Sequence, residues 1–374
     1  MHSLHQGKSI FVWVIMISTV AWPGLATGQT WSSPQFVTNA TLAIGASTNG
    51  TGTSALLFTT GSGELQGTVE SGGKWSSPVI LSPSTTIGLI AVASDGDGLA
   101  VWTTSSAVQA AFYSAGRWGS PISLDANPAS INTLNLGVDG HSIDTVVWEH
   151  RTSTTCSLVA VMGTASAGFG SSQSIGAPCT GWANLAVNSS GEAVVAQGAT
   201  TLEVAPIIGT MRATNGTWGA PFNIASPYYG RQRPRVALGN NGTAVAVWRG
   251  RVRSEWAADD SGTWTAPAPL PQASGTPGLA VDGHGNAVAA YSGLVSYRPF
   301  GRVFQTPVSL GNTFEVVASP AGTFMVTGSS VATLLPGSTT WNKNGPNSSL
   351  LAIAPGTALA IVGPLISVST ASVP

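Results

Sequence analysis

Apolar residues in this chain fall into short runs separated by turn residues, and the runs recur in a fixed order. An apolar strand, a Gly/Asn/Asp turn, a second apolar strand, a third strand and a Gly turn lead to W-x-x-P and a last strand. Segment 234–270 shows the pattern most clearly, and 278–310 and 89–124 repeat it. The second runs, such as Ala-Val-Ala-Val-Trp at 244–248, are continuous and not alternating. That is the signature of strands covered on both faces. Asp139-Gly140, Asn240-Asn241-Gly242 and Asp282-Gly283 supply tight turns between the first two strands.

The closing segment begins at Trp31, Trp75, Trp118, Phe169, Trp218, Trp264, Phe304 and Trp341. Opening strands begin near Leu42, Leu89, Leu136, Leu185, Val236, Leu279, Glu315 and Leu350. The two series are out of phase: Trp31 has no unit before it, and the last opening strand has no W-segment after it. A linear solenoid would need polar caps at both ends. A ring instead lets the segment after Trp31 complete the sheet begun by residues 348–374, which hides both free edges. The expected fold is therefore an all-β propeller of about eight four-stranded blades over residues 29–374, closed by the N-terminal strand. Seven blades is the alternative, because Phe169 and Phe304 mark degenerate units. The W-position aromatics read as packing between blades.

The first 28 residues read as a secretory signal. Lys8 precedes an apolar run at 10–22, and small residues follow, with cleavage after Ala26 or Gly28. The apolar run is too short to span a bilayer, and no later segment is a spanning helix, so a secreted or periplasmic monomer without a membrane span is expected. Charged residues are 8% of the chain and the net charge is −1, which gives no global field to attract nucleic acid.

From these repeats the chain resembles the secreted bacterial β-propeller repeat proteins. It is also distantly similar to Asp-box (BNR-type) propellers, which include sialidases. The residues carrying that second likeness are Asp259-Asp260-Ser261-Gly262-Thr263-Trp264 on the turn before a last strand. Gly and Trp stand two apart here where the box has three, and Ser71 to Trp75 and Ala115 to Trp118 lack the aspartate. The resemblance implies an architecture and carries over no catalytic residue.

An exported chain can keep disulfides, and Cys156 and Cys179 are its two cysteines. They are equidistant from a small-residue turn near Ala167, which predicts that they face each other and bond. A loop of that length is worth about 3 kcal/mol in the loop-entropy account.

Reactive groups are few. Six of eleven arginines lie at Arg231, Arg233, Arg235, Arg249, Arg251 and Arg253, with Tyr228, Tyr229, Trp248 and Glu255 close by. Hairpin pairing should bring Arg233 near Arg249 and Arg231 near Arg251. Guanidinium forks and aromatic faces together suit a carboxylate, a sulfate or a sugar; a solvated loop is the plainer alternative. A second rim cluster is Glu149, His150 and Arg151 with Trp182. Asp139 with His141, and Asp282 with His284, offer too few ligands for a metal and read as turns. No cofactor or metal is expected. Nucleophile-elbow, zinc-protease and Walker A motifs are absent from the sequence. The leading expectation is a binding or adhesion module that recognises a glycan or a cell-surface partner. A divergent glycosidase using Glu149 or Glu255, or a scaffold without a small ligand, are the alternatives.

Overall fold

A computed structural model describes residues 31–372 except 39–41, 50, 86, 127–132, 153–154, 176–180, 200–203, 230–232, 251, 312–314, 329, 344, 347, 355–356 and 363–365. The expected signal segment lies outside the described residues, as do Cys179, Arg231 and Arg251. The described chain forms eight antiparallel sheets arranged as an eight-bladed β-propeller. Blade 2 is typical, running outward through Ile87–Val92, Gly98–Thr103, Ala107–Ser114 and Arg117–Trp118, with Ile122–Ala126 also pairing the third strand. The innermost strands of blades 1 to 8 begin at Leu42, Ile87, Leu134, Gly181, Arg235, Gly278, Val316 and Ser348.

The ring closes as the offset predicts. Gln35–Thr38 forms the outer strand of blade 8, with Gln35 opposite Val368 and Phe36 opposite Ser367. Trp31 bridges Ala371, and Ser32 N–H donates to Thr370 O at 2.8 Å. The upper rim carries the starts of the first strands and the ends of the second strands; the lower rim carries the tight turns between them.

Each of the eight seams between blades holds one W-position aromatic. Trp75 packs with Leu359 and Ile361 of blade 8, Trp118 with Leu57 and Leu81 of blade 1, and Phe169 with Leu99 and Val101 of blade 2. Trp218, Trp264, Phe304, Trp341 and Trp31 fill the remaining seams in the same way. Alternate residues of one second strand serve two seams: Ala244, Ala246 and Trp248 face blade 4, while Val245 and Val247 face blade 6. This two-sided burial explains the unbroken apolar runs. Gly67 in blade 1 admits the Trp118 ring, because a Cβ there would lie 2.9 Å from it.

Two buried arginines pin neighbouring blades near the lower rim, each six residues before a W-position aromatic. Arg212 of blade 4 donates to Thr145 Oγ1 of blade 3 at 2.6 Å and to Gly191 O at 2.9 and 3.1 Å, and stands over the Trp218 ring. Burial lowers its pKa, against the opposing charge of Asp139. Arg298 of blade 6, 1% exposed, pairs with Asp260 and stands over the Trp256 ring of blade 5.

Asp144 starts the second strand of blade 3, is 4% exposed, and has no hydrogen-bond partner for Oδ1. Burial, and then the charges of Asp95, Asp139 and Asp97, push its carboxyl up to about 8.

Two outcomes follow. Trp118→Ala should lower the unfolding free energy by about 3–5 kcal/mol, measured by urea titration; a loss under about 1 kcal/mol contradicts the wedge role. For Asp144, the folded chain holds its proton up to about pH 8 whereas the unfolded chain releases it near 4. The associated stability is full below about pH 4 and is lost as pH rises through about 8. Asp144→Asn should flatten that slope in thermal melts recorded across this window, and an unchanged slope contradicts the assignment.

Candidate functional site

The upper rim across blades 3 to 5 brings together parts of both sequence-predicted clusters. Trp182 is the second residue of the Gly181–Val187 strand of blade 4. Its flanks are fixed by Thr133 of blade 3, whose hydroxyl donates to Gly181 O at 3.4 Å and accepts from Ala183 N–H at 3.1 Å. Thr133 O also accepts the Glu149 N–H, at 3.2 Å. One residue thereby ties the Glu149 strand end to the Trp182 strand start.

Arg233 of blade 5 lays its guanidinium over the Trp182 ring, 3.9 Å from the centroid. The register of the Arg235–Leu238 strand, extended outward, would set Arg233 opposite Arg249. The described ladder, however, ends at Arg235 and Val247, and Arg233 is stacked on blade 4. Arg233, Arg235, Arg249 and Arg253 are all exposed. Arg235 is nonetheless crowded by protein. That burial lowers its pKa, Glu315 of blade 7 acts in the opposite direction, and Arg233 adds to the lowering.

Other members of the first cluster are placed differently. Trp248 is fully buried in the seam between blades 4 and 5, so it supplies packing and offers no face to a ligand. Its position on the same face as Ala244 and Ala246 is the cause. Glu255 pairs across the sheet with Trp248, is half-buried, and has no hydrogen-bond partner for its buried Oε2. Tyr228 and Tyr229 end the Phe222–Tyr229 strand of blade 4, opposite Ala205 and Val204. Arg231 and Arg251 lie outside the described residues.

In the second cluster, Glu149 is 2% exposed and its Oε1 accepts from Arg151 Nη2 at 2.5 Å. Cys156 Sγ lies 3.1 Å from the same oxygen. His150 faces elsewhere: its Nδ1 is 2.7 Å from Asp125 Oδ2, which also accepts from the Trp148 indole at 2.9 Å. Asp125 belongs to the last strand of blade 2, and sequence reasoning missed it. The available signal was a lone acid ending an otherwise neutral outer strand. The result is an imidazole, about a third exposed, oriented by a buried carboxylate.

On the lower rim, Asp139 Oδ1 accepts the N–H groups of His141 and Ile143 at 2.8 and 3.0 Å. Asp282 Oδ1 likewise accepts from His284 and Asn286, both at 2.9 Å, and its Oδ2 accepts the Asn286 amide at 2.8 Å. Both carboxylates are engaged as turn formers. Among the described residues no group of three or more His, Cys, Asp or Glu is placed to hold a metal, and no helix is long and apolar enough to cross a membrane. Asn49 and Asn188, each within an N-x-S/T sequon, are buried and donate their amides to Ala93 O and Gly239 O of the next blade. Asp259 Oδ1, in the segment compared with an Asp-box, accepts from Ser261 and Gly262 N–H at 3.1 and 2.6 Å. The central channel holds a cavity of about 380 Å³ lined by small residues such as Ala46, Ala186, Ala237, Ala280, Ala318 and Ala352.

Neither a defined protein family nor a curated protein matches the sequence. Among solved structures, BamB from Moraxella catarrhalis is similar at a TM-score of 0.54 and 10% identity, over 92% of this chain and 100% of that one. The fucose-specific lectin from Aleuria aurantia has a TM-score of 0.44 at 11% identity, over 84% and 97% of the two chains. AofleA from Arthrobotrys oligospora has a TM-score of 0.46 at 11% identity, over 76% and 90%. At such identities the likeness is one of fold, and the fold common to this chain and BamB is the β-propeller.

Proposed function

We propose that this protein is an exported binding propeller whose upper rim, across blades 3 to 5, takes an acidic glycan, free or displayed on a cell-surface partner. The Arg233 guanidinium on the Trp182 ring carries the reading. Stacking fixes the plane of the guanidinium and leaves its edge donors free for a carboxylate or sulfate. Arg249 and Arg253, exposed at the upper-rim end of blade 5, add positive charge to the same rim. Glu315 acts on Arg235, and Glu149 is already committed to Arg151, so the carboxylates nearby neutralise only part of the cluster. Glu149 and Glu255, the acids invoked for a glycosidase, belong to blades 3 and 5 with blade 4 between them. Binding therefore accounts for the rim better than hydrolysis does.

Export and a Cys156–Cys179 disulfide belong to the same reading. No free cysteine stands among the described residues. Cys156 opens the third strand of blade 3. The bond would tie the start of that strand to the chain just before Gly181 and Trp182.

Two measurements test this. Arg233→Ala and Trp182→Ala should each weaken heparin binding on the order of tenfold, and Arg233→Ala should also reduce its salt dependence. Heparin affinity unchanged in both variants removes the rim site. Alkylation of the unreduced, unfolded protein followed by intact-mass analysis should label no cysteine, and labelling of both removes the disulfide.

A further inference from the structure

The seam that closes the ring contains a cleft that neither cluster uses. It lies on the lower rim between blades 8 and 1, opposite the arginine-bearing rim, with a volume of about 370 Å³. That falls within the range of ligand clefts, about 300–1,000 Å³. Its lining joins three stretches far apart in sequence. Ser32 and Gln35 come from the N-terminal segment, Thr370 from the last strand, and Ser54, Glu70 and Trp75 from blade 1.

The chemistry of this lining is specific. Among the described residues that line the cleft, Glu70 is the one that bears a charge. It spends Oε1 on the Gly73 N–H at 2.7 Å, which leaves Oε2 as an acceptor. Gln35 is exposed and carries both a donor and an acceptor. Hydroxyl groups surround them. Ser32 and Thr370 stand 3.3 Å apart, and the Ser32 hydroxyl accepts the Thr370 N–H at 3.0 Å. Trp75 stands opposite Glu70 across the hairpin. The indole N–H groups of Trp31, Trp118 and Trp264 are buried without partners, whereas Trp75 is partly exposed and borders the cleft.

We infer that this cleft binds a neutral sugar ring. A lone carboxylate oxygen and an amide suit vicinal hydroxyls, and the indole offers an apolar surface to the C–H face of a pyranose. The same carboxylate, with no cation among the described lining residues, opposes anions such as uronates and phosphates. A sugar held here touches the first strand, the last strand and blade 1 at once. Binding therefore reinforces circular closure and raises the melting temperature by mass action. This site is independent of the acidic-glycan reading, since it uses the other rim and none of its residues.

The test uses the mature full-length chain with methyl hexopyranosides (glucoside, galactoside, mannoside and fucoside) and with methyl glucuronide as the charged comparator. Calorimetry should show saturable binding of at least one neutral glycoside, with a matching rise in melting temperature. Glu70→Gln, which keeps shape and loses charge, and Gln35→Ala should each weaken that binding at least tenfold. The glucuronide should bind at least tenfold more weakly than the glucoside. Arg233→Ala should leave this binding unchanged while it weakens heparin, so failure of either site is read separately. Absence of saturable neutral-sugar binding overturns the inference, as does unchanged affinity in the Glu70 variant or preference for the glucuronide.

Discussion

One aromatic ring wedged into each seam is the contact on which this architecture depends. A four-stranded blade has two apolar faces and little polar surface of its own, so it is stable only between two others. The W-position side chain enters from the outer strand and packs against the preceding blade, Trp118 against Leu57 and Leu81 for example. Glycine at position 67 exists to admit it. Repeated around the circle, this single contact sets blade spacing, fills the core and excludes charge from it. The low charge content of the chain follows, because most positions lie in seams or turns. Where charge does enter, as at Arg212 and Arg298, it is tied to the neighbouring blade.

A ring built this way leaves two rims for chemistry, and they differ in character. The lower rim is occupied by its own turns: Asp139, Asn188 and Asp282 spend their side chains on nearby backbone groups. On the upper rim, several of the described polar side chains reach across seams instead. There Arg233 of blade 5 reaches Trp182 of blade 4, and His150 of blade 3 reaches Asp125 of blade 2. Both contacts cross a seam. These rim contacts thus lie where adjacent blades meet, and the hydroxyl-lined cleft of the closing seam lies at such a junction too.

The fold was legible because its defining contact recurs at one position in every unit. Trp31 to Trp341 mark eight seams, and their offset from the opening strands announces closure. Turn roles for Asp139 and Asp282 were equally legible, since an Asx turn is a local event. The rim was only half legible, because hairpin pairing names neighbours within a blade and is silent about neighbours across a seam. It therefore set Arg233 against Arg249 and missed its partner, Trp182. It also grouped Trp248 with the ligand-facing aromatics. In a strand buried on both faces no parity points to water, and Trp248 follows Ala244 and Ala246 into the core. Asp125 escaped for the same reason, standing 25 residues before the histidine that it orients.

Closure by the N-terminal strand assigns every loop to its rim, and amide hydrogen exchange across residues 32–38 tests it most directly. Ser32 N–H is bonded to Thr370 O, and Gln35 and Phe36 lie in the ladder to Val368 and Ser367. Bonded amides in 32–38 should exchange slowly, together with those of 366–371. Exchange of 32–38 at the rate of a free chain end, while the inner strands stay protected, would contradict a closed ring.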